Sequence, residues 1–213
     1  MKSQNKSISL GFSNKRLNPG THICLIYRDE KERQEIVSKF LRSGLINHEK
    51  IGYFTDIMAV NELTQWCKEM GIEIPVSDDP HHQQFEITSA LNHYCPHGQF
   101  TLQHALDSLC QYYEVSVKEG FSGVRVTGET SWLFKSKGIS GTEQFIIYEA
   151  MLNKALKKHP VLTMCQYDAN LISGAELFDV LQVHPFMIVH GQIVENPTYL
   201  KPDEFVQQYK SRA

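Results

Sequence analysis

Three side chains near the start of the chain could hold a small ligand or a metal ion: His22, Cys24 and Tyr27, in the sequence HICLIY. His22 and Cys24 are two residues apart, so in a strand both side chains leave the same face, with Cα atoms roughly 6.5 to 7 Å apart. Zinc prefers imidazole and thiolate ligands, but a zinc site needs three or four of them. Packing is the alternative, because a buried thiol also serves as a small core residue and a histidine can bond to a backbone carbonyl. Whether these residues bind a metal is left open.

The turn after this strand has the sequence RDEKERQ at residues 28–34, where phosphate-binding loops carry glycine. Such loops work because successive backbone amides point at the anion, and without glycine the backbone adopts that conformation only at a cost. Asp29 is placed to cap the following helix, with Glu30 and Glu32 in its first turn. Carboxylates of the chain would then satisfy the helix amides. We predict a degenerate phosphate loop and no ATP hydrolysis at this turn.

Further candidate ligand residues follow two other predicted strands. Glu129 and Trp132 lie in TGETSWLF, and Tyr167 lies in CQYD. The carboxylate of Glu129 could bond to a ligand, or could cap its own loop by accepting from the N–H groups of Ser131 or Trp132. Trp132 could form an aromatic wall, although core filling is the more common role of such a residue.

The loop HYCPHGQF gathers His93, Cys95 and His97. This spacing is too loose to predict a zinc site, and a surface loop rich in titratable groups is the simpler interpretation. In a functional interpretation, the loop closes over a pocket.

Alternating strands and helices must position these residues. Short apolar runs predict strands, and apolar residues at helical spacing predict the helices between them. The predicted strands cover residues 22–27, 50–55, 85–88, 124–127, 161–167 and 186–189. The predicted helices cover residues 29–45, with Gly44 near the end, then 61–70, 101–118, 142–158 and 174–183, and a terminal helix starts at Pro202. This alternation is typical of an α/β fold with a mostly parallel sheet. Ligands bind such sheets at the carboxyl ends of the strands, where Tyr27, Glu129 and Tyr167 lie.

The first 19 residues are polar and end at Pro19-Gly20. This composition predicts a loosely held N-terminal arm, residues 1–19, before a single domain at residues 20–213.

The composition of the chain excludes several classes of protein. Its 213 residues include 24 acidic and 21 basic side chains, and the formal net charge of -3 argues against a nucleic-acid-binding surface. No segment is long and apolar enough to span a bilayer, and the first residues lack the apolar core of a secretory signal. We therefore expect a cytoplasmic protein. Its five cysteines contain no CxxC pair, and we expect them to be thiols.

Several separated motifs resemble known families. The segment FLRSGLINHEKIGYFTD resembles the RecA/KaiC-like ATPases. The chain more closely resembles the MEDS domain, the sensory domain named for methanogens, methylotrophs and the dichloromethane regulator. The matching motifs are HICLIY, VRVTGETSW, CQYD, VLQVHP and ENPTYLKPDEF, from about Gly20 to Phe205. The resemblance implies a RecA/KaiC-like three-layer sandwich in which the strand at 161–167 lies beside or near the first. Cys165 is then the best third metal ligand.

The resemblance also implies sensing of simple hydrocarbon or one-carbon derivatives in signal transduction. We predict a non-enzymatic sensory domain without a cofactor, which binds a small organic effector and shifts its loops at residues 90–100 and 128–141. The expected ligand-binding residues are His22, Cys24, Tyr27, Glu129, Trp132, Cys165 and Tyr167. Alanine at His22 and Tyr27 would then weaken effector binding.

The signal is expected to leave through a partner protein, such as a histidine kinase or a transcription regulator, without direct contact to nucleic acid or membrane. Homo-oligomerisation is left open. Two alternatives also stay open. One is a residual nucleotide-binding or hydrolysing activity, and the other is a metal- or redox-responsive regulator that uses His22, Cys24 and Cys165.

Overall fold

The computed structural model describes residues 7–75, 78, 83–135 and 138–212. The strands are β1 (Ile8–Ser9), β2 (Arg16–Leu17), β3 (His22–Tyr27), β4 (Lys50–Thr55), β5 (Phe85–Ser89), β6 (Val124–Glu129), β7 (Leu162–Asp168), β8 (Phe186–Val189) and β9 (Gln192–Glu195). The helices are α1 (Glu30–Ile46), α2 (Val60–Glu69), α3 (Ala90–Tyr94), α4 (Leu102–Lys118), α5 (Trp132–Lys135), α6 (Phe145–Ala155), α7 (Gly174–Val183) and α8 (Pro202–Lys210). None of these described helices has the length and apolar character needed to cross a membrane.

Within the described residues, seven strands form one central sheet in the order β5-β4-β6-β7-β3-β8-β9. The pairings from β5 through β8 are parallel, and β9 is added antiparallel to β8. The predicted α/β fold with a mostly parallel sheet is confirmed. The two cysteine-bearing strands, β3 and β7, are neighbours as expected, and Cys24 lies opposite Cys165 in register.

Side chains of β3 alternate between the two faces of the sheet, as the period of a strand requires. Ile23 and Leu25 pack in a core cluster that also contains apolar residues of α1 and α2. Cys24 belongs to a cluster on the other face, with Cys165 and with Val180 of α7. Helices therefore cover both faces of the sheet and produce three layers.

The described part of the N-terminal arm is packed on the domain and is not loosely held. β1 and β2 pair antiparallel, with Ile8 opposite Leu17. Leu10 between them is fully buried, and the Ser9 carbonyl accepts a hydrogen bond from the Ser43 hydroxyl at 3.0 Å. Burial of the few apolar residues in this polar stretch holds it in place. Residues 1–6 of the predicted arm lie outside the described residues.

The other differences from the predicted elements are short segments. A five-residue helix, α3, precedes the predicted loop HYCPHGQF and includes its first two residues. The predicted helix at 142–158 is a 3-10 turn followed by α6, which ends at Ala155. Helix α1 continues one residue further than predicted, to Ile46, and Gly44 lies near its end as predicted. Residues 136 and 137 of the predicted mobile loop 128–141 lie outside the described residues.

Candidate functional site

A buried polar network lies where the carboxyl ends of β4, β6 and β7 meet the start of α1. It consists of Arg33, Tyr53, Glu129 and Gln166, and we call it the Arg33 network. Nη1 of Arg33 lies 2.9 Å from the Tyr53 hydroxyl, 2.9 Å from Oε1 of Glu129 and 3.0 Å from Oε1 of Gln166. The remaining nitrogens of the guanidinium donate to the carboxylate of Glu30. The strand ends at this edge are thus joined to α1 through one buried cation.

Both carboxylate oxygens of Glu129 are used within the protein. Oε1 accepts from Arg33 and, at 2.7 Å, from the hydroxyl of Tyr53. Oε2 accepts from the backbone N–H groups of Asp56 and Ile57 at 2.6 and 2.5 Å. The predicted N–H donors, at residues 131 and 132, are replaced by these two because β6 extends to Glu129 and places its side chain beside the end of β4. Glu129 therefore ties β6 to β4.

The start of α1 is filled by side chains of the chain itself. Asp29 caps the helix, as predicted, and its Oδ1 accepts from the N–H of Glu32 at 2.9 Å. Tyr27 is buried, and its ring centroid lies 5.9 Å from the guanidinium carbon of Arg33. Tyr27 therefore packs against Arg33, next to the Arg33 network.

Trp132 fills the core. Its side chain is fully buried and stacks on Tyr94, with ring centroids 5.6 Å apart and an interplanar angle of 17°. The ring of Phe145 meets it edge-on at 5.5 Å. Of the two interpretations of Trp132, the packing places it in an aromatic cluster.

A second buried polar cluster lies between the sheet and helices α6 and α7. It consists of His22, Glu149, Cys165 and His184, and we call it the buried tetrad. One donor atom from each of the four side chains lies within 4.8 Å of the others. Nε2 of His22 and Nε2 of His184 lie 2.9 and 3.0 Å from the same oxygen, Oε2 of Glu149, and Nε2 of His22 lies 3.4 Å from Sγ of Cys165.

Cys24 stands beside the buried tetrad without joining it. Its thiol donates to the backbone carbonyl of Phe186, with Sγ 3.7 Å from the oxygen. Of the three residues considered as metal ligands from the sequence, His22 and Cys165 thus lie together in the structure, whereas Cys24 bonds to the carbonyl of Phe186.

Burial controls the protonation of the buried tetrad. Burial, followed by the proximity of His184, lowers the pKa of His22 to about 4. Burial, followed by the charge of Glu149, raises the pKa of the Cys165 thiol well above its usual value. Burial acts to raise the pKa of Glu149 as well, but the two adjacent imidazoles outweigh it and hold that pKa well below its usual value.

A cavity of about 300 Å³ lies beside the end of β7, and we call it the Tyr167 cavity. Its wall combines aliphatic and aromatic side chains with three carboxylates and three hydroxyls: Leu133, Phe134, Thr142, Glu143, Phe145, Ile146, Tyr167, Ile172, Glu176, Asp179, Val180 and Tyr209. Of the residues expected to bind a ligand, Tyr167 lines this cavity, whereas the others lie in the Arg33 network, the buried tetrad or the core.

Tyr167 separates the cavity from the buried tetrad. Its ring meets the ring of His184 edge-on, with centroids 5.8 Å apart. Burial, followed by the charge of Glu149, raises the pKa of Tyr167 well above its usual value. The cavity and the tetrad are therefore neighbouring sites that share one wall.

Several residues of these sites are absent from the predicted ligand-binding set, among them Arg33, Glu149 and His184. Arg33 is in the first turn of an amphipathic helix, where an arginine is usually solvated. Glu149 could have been found from the sequence, because a carboxylate inside the apolar run FIIYEAML indicates a buried charged group. His184 precedes a proline, a position typical of a turn, but its ring is fully buried.

Comparison with solved structures finds the same fold in archaeal proteins. The flagellar accessory protein FlaH from Methanocaldococcus jannaschii matches with a TM-score of 0.58 and 9% sequence identity, over 89% of this chain and 84% of that chain. A KaiC-like protein from the hyperthermophilic archaeon Pyrococcus horikoshii matches with a TM-score of 0.58 and 14% identity, over 87% and 81% of the two chains. An uncharacterised protein from the same archaeon, crystallised with an unknown peptide, matches with a TM-score of 0.57 and 13% identity, over 86% and 89%. At these identities the likeness establishes the fold, which is RecA/KaiC-like.

Comparison with family models finds one that covers most of the chain. The model described as "MEthanogen/methylotroph, DcmR Sensory domain", or MEDS, matches residues 21–185. No curated protein matches the chain. The matched range includes the Arg33 network, all four residues of the buried tetrad and most of the wall of the Tyr167 cavity.

Proposed function

This chain belongs to the family of methanogen/methylotroph, DcmR sensory domains, and from that membership we propose that it is a non-enzymatic sensor whose effector binds in the Tyr167 cavity. The effector is a small organic molecule of the size of a simple hydrocarbon or one-carbon derivative. Its binding changes the surface formed by α7 and α8, and a partner protein, such as a histidine kinase or a transcription regulator, receives the signal.

The size and lining of the cavity support this proposal most strongly. Binding pockets for small molecules have volumes of about 300 to 1,000 Å³ and mostly apolar walls with a few polar groups. The Tyr167 cavity, at about 300 Å³, is at the lower limit, which favours a small effector. Its position beside the end of β7 agrees with the general placement of ligands at the carboxyl ends of parallel strands.

The polar groups of the cavity limit the chemistry of the effector. Glu143, Glu176 and Asp179 contribute carboxylates to the wall, and the ion pair of Asp179 with Arg212 places one cation near it. A wall with this excess of negative charge disfavours anions and favours neutral or cationic molecules. Methylamines, alcohols and halogenated methanes fit this description, whereas formate does not.

The Arg33 network supports the proposal that the protein does not process nucleotides. In phosphate-binding loops, backbone amides at the start of the helix face the anion. Here Asp29 caps that start, and the guanidinium of Arg33 is fully buried among Tyr53, Glu129 and Gln166. A nucleotide phosphate at this position would have to displace these groups.

Transmission to a partner follows from the elements that form the cavity wall. Residues of α7 and of α8 both line it, and helix α8 is packed against α6 and α7. An effector that binds one arrangement of these helices more tightly than another shifts the population toward it, by no more than its difference in affinity. The outer faces of α7 and α8 are the surface whose shape would then change.

A ligand screen with a matched pair of variants tests the proposal. Purified protein is screened by thermal shift and calorimetry against methylamines, methanol, formaldehyde, dichloromethane and formate. Ile172→Trp places a large side chain at the cavity wall, whereas Leu171→Trp makes the same change at a neighbour that is 36% exposed and does not line the cavity. We expect a compound that stabilises the wild type and Leu171→Trp but not Ile172→Trp. Binding that survives in Ile172→Trp would contradict the location of the site.

Calorimetric titration with ATP and GTP in the presence of Mg²⁺ tests the proposal that the protein does not process nucleotides. We expect no binding heat. A clear magnesium-dependent signal would support the alternative of a nucleotide-binding protein and would show that the Arg33 network opens.

A further inference from the structure

We propose that the buried tetrad is a closed binding site for one divalent cation of the zinc class, with Nε2 of His22, Nε2 of His184, Sγ of Cys165 and the carboxylate of Glu149 as its four ligands. The site is distinct from the Tyr167 cavity, and the inference does not depend on an effector.

The distances between the donor atoms fit tetrahedral coordination. With metal–ligand bonds of about 2.0 to 2.3 Å, the edges of a tetrahedral zinc site are about 3.3 to 3.7 Å long. The pairs His22–Glu149, His184–Glu149 and His22–Cys165 are separated by 2.9, 3.0 and 3.4 Å, and no pair of the four donors exceeds 4.8 Å. Movements of up to about one ångström between donor atoms would place all four around one ion.

The tautomer of His184 is an independent observation in favour of a metal ion in the buried tetrad. Its Nδ1 lies 2.8 Å from the carbonyl oxygen of Val180, which can only accept, so Nδ1 carries the proton. In a neutral imidazole Nε2 then presents a lone pair, and this lone pair faces a carboxylate oxygen of Glu149 at 3.0 Å. Two acceptors at this distance repel each other unless a cation or a proton lies nearby. Zinc-bound histidines are held in the same way, with the other ring nitrogen donating to a carbonyl.

The hydrogen-bonding geometry of the tetrad is otherwise incomplete. Within the described residues, both carboxylate oxygens of Glu149 and Nε2 of His184 make no hydrogen bond of acceptable geometry, although the atoms are close. Buried polar groups in native proteins are nearly always satisfied. Coordination to a metal ion would satisfy Nε2 of His184 and one carboxylate oxygen of Glu149.

The charges of the ligand set also match a divalent cation. The carboxylate of Glu149 and a thiolate of Cys165 together carry two negative charges, and the side chains of the four ligands are between 0 and 6% exposed. Buried charges of one sign are very costly unless they are paired. A divalent ion would neutralise them, and its binding would deprotonate the thiol.

The position of the ligands in the fold predicts a structural rather than a catalytic ion. They come from β3, β7, α6 and the residue after α7, so one ion would join two strands and two helices. Four protein ligands leave no open position for water or substrate, which is typical of structural zinc. Val180 and Tyr167, which contact His184, both line the Tyr167 cavity, so the ion would also fix one wall of that cavity.

Metal analysis and cobalt titration test this inference. The full chain is purified anaerobically without a metal-binding tag, and its zinc content is measured by elemental analysis. We expect about one ion per chain. After removal of the metal with a chelator, addition of Co²⁺ should give the intense visible bands of tetrahedral cobalt together with a thiolate-to-cobalt charge-transfer band.

Two cysteine variants provide the matched comparison, because both cysteines are buried and lie opposite each other in β3 and β7. Cys165→Ser should remove the charge-transfer band and weaken Co²⁺ binding by about 100-fold or more. Cys24→Ser should retain both the charge-transfer band and the Co²⁺ affinity of the wild type. Should Cys165→Ser not fold, zinc release from the wild type is followed during titration of its thiols with a mercurial reagent. Wild-type protein that binds neither Zn²⁺ nor Co²⁺, or a charge-transfer band that depends on Cys24, would overturn the proposal.

Discussion

Nη1 of Arg33 and Oε1 of Glu129 lie 2.9 Å apart, and both side chains are fully shielded from solvent. The two residues are 96 positions apart in the chain, so this contact joins the start of α1 to the end of β6. A buried charge that loses its partner is far more costly than a buried pair. The Arg33 network is therefore a point at which single substitutions should have large effects on stability.

Arg33→Met should lower the free energy of unfolding by about 3 to 5 kcal/mol, because it leaves the carboxylate of Glu129 buried without its cation. Lys39→Met is the matched control on the same helix. Lys39 pairs with Glu35 at 2.6 Å, but both side chains are more than 40% exposed, and exposed pairs contribute at most about 1 kcal/mol. The measurement is urea unfolding of both variants.

The double variant Arg33→Met/Glu129→Gln separates the loss of the cation from a packing defect. With the negative charge removed, part of the lost stability should return. An equal loss in the single and double variants would mean that the cost comes from packing and not from an unpaired charge.

Gly44→Ala should destabilise the protein, although alanine favours helices over glycine by about 1 kcal/mol. An added Cβ at residue 44 would lie 2.6 Å from Nε of Arg125 and 2.9 Å from Cδ1 of Ile51. Arg125 cannot move freely, because it is buried and bonds to Glu49 and to the carbonyl of Phe40. Overpacking of this kind costs about 1 to 3 kcal/mol, so we expect a net loss in thermal or urea unfolding.

Gly174→Ala is the control for this substitution. Gly174 is the first residue of α7, and an added Cβ there would meet no atom within 4 Å. We expect a change between zero and a gain of about 1 kcal/mol. If Gly44→Ala were equally neutral, helix α1 would have to lie further from the sheet than described.

The pattern of strands and helices could be predicted from the sequence, because buried strands and amphipathic helices have different apolar periods. Strands β3, β4 and β8 and helix α7 have the predicted bounds. The position of β7 beside β3 was predicted from the family resemblance. The short helices α3 and α5 were missed because four or five residues contain too little periodic signal.

The candidate sites could be predicted only in part, because they depend on contacts between distant segments. His22 and Cys165 are 143 residues apart and touch, which the parallel pairing of their strands makes possible. His184 and Glu149 join them through the packing of α6 and α7 on the sheet, and no local pattern specifies that packing. Arg33 was missed for the same reason, since its partners come from three different strands.

Acid should destabilise the protein between about pH 6.5 and pH 4 through His93. The ring of His93 stacks on Phe54, with centroids 3.8 Å apart, and burial, followed by the charge of His104 on α4, lowers its pKa from 6.5 to about 4. Tyr94 is the other ionisable group that contacts it, and it is neutral in this range because burial raises its pKa. Below pH 6.5 the unfolded chain therefore binds a proton that the native state does not, and stability falls by up to roughly 3 kcal/mol.

His93→Phe should reduce this loss, since phenylalanine can stack on Phe54 but does not titrate. His97→Phe, at an exposed position of the same segment, should leave the pH dependence unchanged. Urea unfolding at pH 7.0, 5.5 and 4.5 measures the difference between the variants. A His93→Phe curve parallel to that of the wild type would show that His93 is protonated in the native state.

Tyr167→Phe should leave stability almost unchanged, whereas Tyr53→Phe should lower it. Both tyrosines are buried, but within the described residues the hydroxyl of Tyr167 has no hydrogen-bond partner. The hydroxyl of Tyr53 accepts from Arg33 at 2.9 Å and donates to Glu129 at 2.7 Å. Hydrogen bonds to charged groups contribute about 1.5 to 3 kcal/mol each, so we expect a loss of at least about 1.5 kcal/mol for Tyr53→Phe and less than about 0.5 kcal/mol for Tyr167→Phe.

Because phenylalanine keeps the ring that lines the cavity and contacts His184, Tyr167→Phe should also retain effector binding. A large loss of stability in Tyr167→Phe would mean that its hydroxyl bonds to a bound water or ligand at the wall between the cavity and the buried tetrad.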